Sequence, residues 1–250
     1  MTTKPIKPAQ PDAQRLPPLP DPPRKSDLQE SIHFERPATM NTLARYLDAL
    51  RADTTTFIAG RGYLCRRRSD LPNCPYPDML VSFDVDAASI SPTNGYVIDE
   101  AGKPPDFVLE VASEHTARRD YIVKRPLYAG LEVPEYWRFD HTGGGYYEAA
   151  LAGDRLTAEG TYRPIELTTE TDGVIWGYSE ALSLSVCWVQ RELRFWDRLR
   201  RRYLPNPSEM ADPAELDKER EARLAAESRA DIESARARQL EDELRRLRGE

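Results

Sequence analysis

The sequence has little of what metal cages, disulfide scaffolds or membranes require. Cysteine occurs three times, as Cys65, Cys74 and Cys187, with no C-x-x-C pair. Such an odd, scattered set fits a reducing compartment and argues against a disulfide framework or a structural zinc site. Histidine is equally scarce, and the separation of His33, His115 and His141 disfavours a histidine-based metal cluster. No apolar run approaches the roughly 18 residues of a membrane span. The opening residues Met1-Thr2-Thr3-Lys4-Pro5 lead into prolines rather than the apolar stretch of a secretory signal. The expectation is a cytoplasmic protein with no membrane partner. Positive charge is not in excess either, the formal net charge being -7. A protein that grips nucleic acid by bulk charge is usually basic, so any DNA contact must come from local patches.

What the chain does have is proline at one end and charge at the other. Pro5, Pro8, Pro11, Pro17, Pro18, Pro20, Pro22 and Pro23 crowd residues 1–30, which carry few large apolar side chains. Such a segment buries too little surface to offset its ordering entropy and reads as a disordered tail. At the other end, Asp212-Pro213-Ala214-Glu215 is a strong helix start. From there to Arg248 the chain is built almost wholly of Ala, Leu, Glu, Arg and Asp. Leu240, Leu244 and Leu247 keep a zipper spacing, whereas the same register further back meets Ala237, Glu233 and Ala230. Residues 208–250 are therefore expected to form a solvated helix or an oligomerising coiled coil, with both possibilities open.

Residues 31–204 lie between these tails and carry the pattern of a folded domain. Leu43, Tyr46, Leu47 and Leu50 share one helical face. Strands are expected at Thr55–Ala59, Gly62–Cys65, Met79–Phe83, Phe107–Ala112, Glu135–Asp140 and Tyr146–Leu151. The Gly143-Gly144-Gly145 run, lacking the G-K-[ST] of a phosphate loop, is a hairpin turn. A helix is expected from about Thr116 to Leu131, kinked or divided at Pro126, and a short one near Ser179–Leu182.

Two carboxylates stand out in this pattern. Asp78 opens an apolar strand after Pro77, and Glu110 interrupts the apolar strand Phe107–Ala112. A carboxylate in such a strand has to be paired, protonated or metal-bound, because burying it alone is costly. The plain alternatives are that Glu110 faces outward or pairs with an arginine, and that Asp78 caps a turn. Strands that neighbour each other would let both converge, as Mg²⁺-assisted phosphodiester hydrolysis requires of its hard oxygen ligands. Downstream, Asp120 and Lys124 lie one helical turn apart. They form either a surface ion pair or a device that brings Lys124 over the carboxylates to orient water or stabilise the transition state.

Together, Tyr76-Pro77-Asp78, Pro104 to Ser113, Thr116, Asp120, Lys124, Tyr128 and Val133 to Asp140 resemble, in their order, the Uma-two family, described as restriction endonucleases. That family sits in the PD-(D/E)XK nuclease superfamily. The resemblance covers roughly residues 40–200 and implies an α/β (α+β) fold, a restriction-endonuclease-like mixed sheet flanked by helices. It further implies Asp78 and Glu110 as metal ligands, with the Val111 carbonyl as a further one, and Mg²⁺ or Mn²⁺ as cofactor. The simplest superfamily pattern puts lysine two residues after the second acid, where this chain has Ala112. The resemblance assigns that role to Lys124 of the following helix, oriented by Asp120. Glu132 stands at a turn position where glycine is expected. Glu35, Asp48 and Asp53 are the candidates for an upstream acidic ligand.

The expected activity is metal-dependent endonucleolytic hydrolysis of DNA, an RNA-directed nuclease being an alternative. The local basic clusters are Arg66-Arg67-Arg68, Arg118-Arg119, Lys124-Arg125 and the arginines at 198 and 200–202. The first two flank the site in sequence and are candidate phosphate contacts, a solvated surface being the commoner meaning of such runs. The competing reading is a non-catalytic scaffold that uses a nuclease-like domain and forms homo-oligomers through residues 208–250.

Overall fold

Side-chain alternation along six short strands builds the central layer, as seen in a computed structural model. Its described residues are 18–20, 43–44, 46–48, 55–60, 62–90, 94–112 and 117–205, with the side chains of Pro72 and residues 117–122 outside the description. The strands are β1 (Thr56–Ala59), β2 (Tyr63–Cys65), β3 (Met79–Phe83), β4 (Gly95–Val97), β5 (Phe107–Val111), β6 (Glu135–Phe139), β7 (Leu151–Leu156) and β8 (Tyr162–Pro164). Six of them form a mixed sheet in the order β1-β3-β5-β6-β7-β8. Only β5 and β6 run parallel within it. A parallel pair needs a crossover, supplied here by the helix α3 (Ala117–Gly130). Two single-turn helices, α1 (Ala87–Ile90) and α2 (Ile98–Ala101), precede it. β2 and β4 make a separate parallel pair.

The two faces of the mixed sheet bury different partners. Leu80, Val108 and Tyr136 point to one face and pack with Tyr128 and Val133. Met79, Val81, Phe107, Leu109, Trp137 and Phe139 point to the other, where they meet Leu43 and Leu47 and the residues of a second sheet. That sheet is antiparallel and contains β9 (Leu167–Thr169), β10 (Ile175–Ser179), β11 (Leu184–Val189), β12 (Glu192–Asp197) and β13 (Arg202–Tyr203). The expected mixed sheet is present, but on this face a β-layer takes most of the place expected of helices. Trp137 fills the join. Cβ atoms added at Gly153 and Gly177 would come within 2.9 and 3.0 Å of its ring, so both glycines are there for close approach.

Several local expectations are corrected. Pro126 does not divide α3, which continues through it to Gly130. Proline lacks an N–H, but its side chain is on the exposed side, about 200° around the helix from Lys124 and Tyr128. Residues 180–183 are a turn rather than a short helix, and the strand expected from Tyr146 begins only at Leu151. The Asp140 carboxylate explains the delay: it accepts the N–H groups of Thr142, Tyr146 and Tyr147 and the Thr142 hydroxyl, diverting the backbone from sheet pairing. Cys65 and Cys74 form a disulfide, their Cα atoms 5.3 Å apart, against the reading of three lone thiols. A 3-10 turn over Arg68–Asn73 brings the chain back on itself so that the two meet. Cys187 is free and buried, and burial pushes its thiol up to about 12, which makes it inert.

Within the segment read as a tail, Pro18–Pro20 are described: Leu19 is buried, and its carbonyl accepts the Asn94 side-chain amide at 3.1 Å. Residues 208–250, with the expected helix or coiled coil, lie outside the described residues, as do Glu35, Asp53 and Leu50. Among the described residues no helix is long and apolar enough to cross a membrane.

Candidate active site

Strand register brings the two expected carboxylates together. Met79 of β3 pairs with Leu109 of β5. Continuing that antiparallel register by one residue sets Asp78 opposite Glu110, on the same face. The face is the one covered by α3, since the flanking residues Met79, Leu109 and Val111 all point to the other core. Both carboxylates are 2% exposed. Asp78 Oδ2 accepts the Val111 N–H at 2.7 Å, which fixes the end of β3 against β5 beside Glu110. Of the plain alternatives, the outward-facing Glu110 is therefore excluded.

Helix α3 completes the site through two side chains four residues apart. Lys124 Nζ lies 2.9 Å from Glu110 Oε2. The Tyr128 hydroxyl donates a short hydrogen bond to Glu110 Oε1. Tyr128 is fully buried against Tyr136, with ring centroids 4.9 Å apart. Burial, followed by the negative charges of Glu110 and Asp78, holds its hydroxyl well above the usual phenol range, so it acts as a neutral donor. Tyr128 was not singled out for the site in the sequence, although it lies one turn beyond Lys124, a spacing that could have revealed it. Asp120 lies one turn before Lys124 in the same helix, with its side chain outside the description.

Next in the register stands a second ionic cluster. Arg138 of β6 pairs with Glu110. Its guanidinium donates to Asp154 at 2.7 Å, and Arg125 of α3 reaches the other Asp154 oxygen at 2.9 Å. Arg125 is thus tied into the domain, and also donates to the Tyr162 carbonyl at 2.7 Å. The Arg66-Arg67-Arg68 cluster is similarly engaged. Arg66 meets Glu132 at 2.8 Å, Arg67 meets Asp70 at 3.7 Å and Arg68 meets Glu100 at 2.5 Å. Arg198 lies over the rings of Trp176 and Tyr178, and Arg200 pairs with Asp197. The side chains of Arg118 and Arg119 are outside the description.

A divalent cation would find hard oxygen donors here. The Asp78 and Glu110 carboxylates with the Val111 carbonyl suit Mg²⁺ or Mn²⁺, which are bound by one or two carboxylates and retain several waters. The Lys124 ammonium is the cation that pairs with Glu110 in this structure. Among the described residues no group of three or more His, Cys, Asp or Glu side chains gathers to hold a metal, so Asp48 does not enlarge the pair. Asp48 Oδ1 is buried, with no hydrogen-bond partner among the described residues.

A mixed sheet with a crossover helix and a buried acidic pair on its covered face defines a restriction-endonuclease-like α/β protein. The Uma2 family model, described as "Putative restriction endonuclease", matches residues 35–187, and the chain belongs to that family. No curated protein matches the chain.

Proposed function

We propose that the protein is a divalent-metal-dependent endonuclease that hydrolyses DNA phosphodiester bonds in the cytoplasm. The observation that carries this reading is the Lys124 ammonium 2.9 Å from a buried Glu110 that the strand register sets beside Asp78. Asp78, Glu110 and the Val111 carbonyl would hold Mg²⁺ or Mn²⁺. When bound, the ion supplies Lewis-acid stabilisation of the charge that builds on the phosphoryl group. Lys124 would orient the attacking water or meet the developing negative charge on phosphorus, and Asp120 would orient Lys124. Water adds to phosphorus, the phosphorus–oxygen bond to the leaving nucleotide breaks, and a proton originating in the water reaches the departing oxygen. Burial beneath α3 keeps bulk water away from the carboxylates and strengthens each of these interactions.

Membership of a restriction-endonuclease family supports DNA as the substrate, and a panel of plasmid, linear duplex and RNA substrates separates DNA from RNA. The direct test is plasmid nicking with Mg²⁺ or Mn²⁺. Cleavage is expected from the unaltered protein and not from Glu110→Ala or Lys124→Ala. Activity that survives both substitutions sinks the assignment.

A further inference from the structure

Helix α3 sends two donors to one carboxylate, and they differ in every property that governs exchange. Tyr128 reaches Oε1 from a fully buried ring that packs on Tyr136, so its hydroxyl cannot leave without disturbing the core. Lys124 reaches Oε2 from a side chain that is 20% exposed. Its four-carbon stem is flexible and reaches the surface, so the ammonium can swing outward more readily than the buried tyrosine ring. A divalent ion held by Glu110 and Asp78 would be drawn to the oxygen that Tyr128 does not hold, and would repel the Lys124 ammonium bound there.

We propose that these roles are divided: Tyr128 is a fixed positioning residue that holds Glu110 Oε1, and Lys124 is an exchangeable placeholder on Oε2 that a divalent cation displaces. Without metal, the ammonium offsets charge on two adjacent buried carboxylates, which would otherwise repel each other. With metal, the ammonium is released at the rim of the site, where a phosphate could meet it. Metal loading therefore also frees the lysine for its part in the reaction. The inference rests on the metal-binding part of the proposed function.

The test is Mn²⁺ titration of the full chain by calorimetry, with Lys124→Met, Tyr128→Phe and Asp78→Asn in parallel. Removing a competing, partly exposed ammonium should tighten Mn²⁺ binding by about three- to tenfold in Lys124→Met. Tyr128→Phe keeps the ring and should weaken binding about threefold or more, a change that a merely structural tyrosine would not produce at an unaltered melting temperature. Asp78→Asn should lose most of the binding. In the unaltered protein, Mn²⁺ should raise the labelling of Lys124 by an amine-reactive reagent, read by peptide mass spectrometry; this arm does not depend on any variant folding.

Equal or weaker Mn²⁺ binding in Lys124→Met, unchanged Lys124 labelling, or no saturable binding at all would overturn the placeholder. Parent-like affinity in Tyr128→Phe would overturn the positioning role. Mn²⁺ binding in the expected pattern without cleavage of DNA or RNA would remove the nuclease reading and leave the inference standing. Mn²⁺-dependent cleavage with no tightening in Lys124→Met does the reverse.

Discussion

Glu110 and Glu135 are both buried glutamates on neighbouring parallel strands, yet their surroundings are opposite in kind. Glu135 is held by rigid, mostly uncharged donors: the Trp137 indole N–H at 3.0 Å, the Ser179 hydroxyl at 2.5 Å and the Glu180 and Ala181 N–H groups at 2.8 and 3.2 Å. Arg155 joins them at 3.2 Å. These donors come from β6, β7 and the end of β10 with the turn after it, so the carboxylate ties the mixed sheet to the second sheet. Glu110 instead meets one locked hydroxyl and one ammonium on a long, partly exposed stem. Burial alone does not distinguish a working carboxylate from a structural one. On the proposed reading, what sets Glu110 apart is its partly exposed lysine partner.

The largest expected effect breaks the comparison at its functional end. Glu110→Gln keeps the side-chain volume and removes the charge, so Mg²⁺-dependent plasmid cleavage should fall by about 10²–10³-fold, the range seen when one electrostatic contributor to a transition state is lost. Glu135→Gln should show the opposite pattern. Converting an acceptor-only group into one that presents an N–H to several donors should lower stability by about 3–5 kcal/mol, read by urea denaturation. A Glu135→Gln protein as stable as its parent would show that the sheet-to-sheet carboxylate is dispensable.

Packing at the same join gives the next effect. Gly153→Ala would place a methyl 2.9 Å from the Trp137 ring carbons, closer than real contacts allow. Overpacking of this kind should lower stability by about 1–3 kcal/mol. Because Trp137 belongs to the opposite face from Glu110, Mn²⁺ affinity should barely change. A large loss of metal binding would show that the two faces are coupled.

Asp140 supplies a pH-dependent contrast. Burial acts to raise its carboxyl, but the Thr142 hydroxyl and the N–H groups of Tyr147, Tyr146 and Thr142 outweigh it and hold the group below its ordinary value of 3.8. A carboxyl lowered by folding contributes stability that is present above the unfolded value and lost as pH falls through the folded one. The difference in stability between the unaltered protein and Asp140→Asn should thus be constant near neutrality and shrink below about pH 4. A difference that persists unchanged at lower pH would mean that the turn is held by something other than this charge.

How legible all this was depended on whether a feature follows from local pattern or from tertiary pairing. The strand around Glu110 announced itself because one carboxylate broke an apolar run, and Asp78 because it preceded another. Lys124 was reachable through helical spacing and the family resemblance. Tyr128 was missed as a partner because a tyrosine on an apolar helix face ordinarily fills a core, and its hydroxyl bond depends on strand order. The ion-pair partners of the arginine clusters were hidden for the same reason: Arg66, Arg68 and Arg125 are separated from them by 29 to 66 positions. The second sheet was not anticipated as a layer, since nothing in one short strand specifies which sheet it joins. Asp140 could not be anticipated as a turn clamp because its bonds run to three backbone N–H groups, those of Thr142, Tyr146 and Tyr147, and the last two lie in a segment that read as strand.

The smallest expected effect lies at Glu132, behind the helix that carries Lys124. Its φ of 62° is in the left-handed region that glycine adopts freely. Arg66 compensates by donating to the Gly130 carbonyl at 3.1 Å and to the Glu132 carboxylate at 2.8 Å, which clamps the end of α3 against the chain after β2. Glu132→Gly would relieve roughly 1 kcal/mol of backbone strain, and would forfeit an exposed ion pair worth about 0–1 kcal/mol. The two nearly cancel, so urea denaturation should show a change within about 1 kcal/mol, on the stabilising side. The contrast with Glu135 is then complete, because the same residue type at a helix end can be removed where its donors are exposed. A loss beyond that range would mean that Arg66 does more than offset a turn, and that the seating of α3, with Lys124 on it, depends on the clamp.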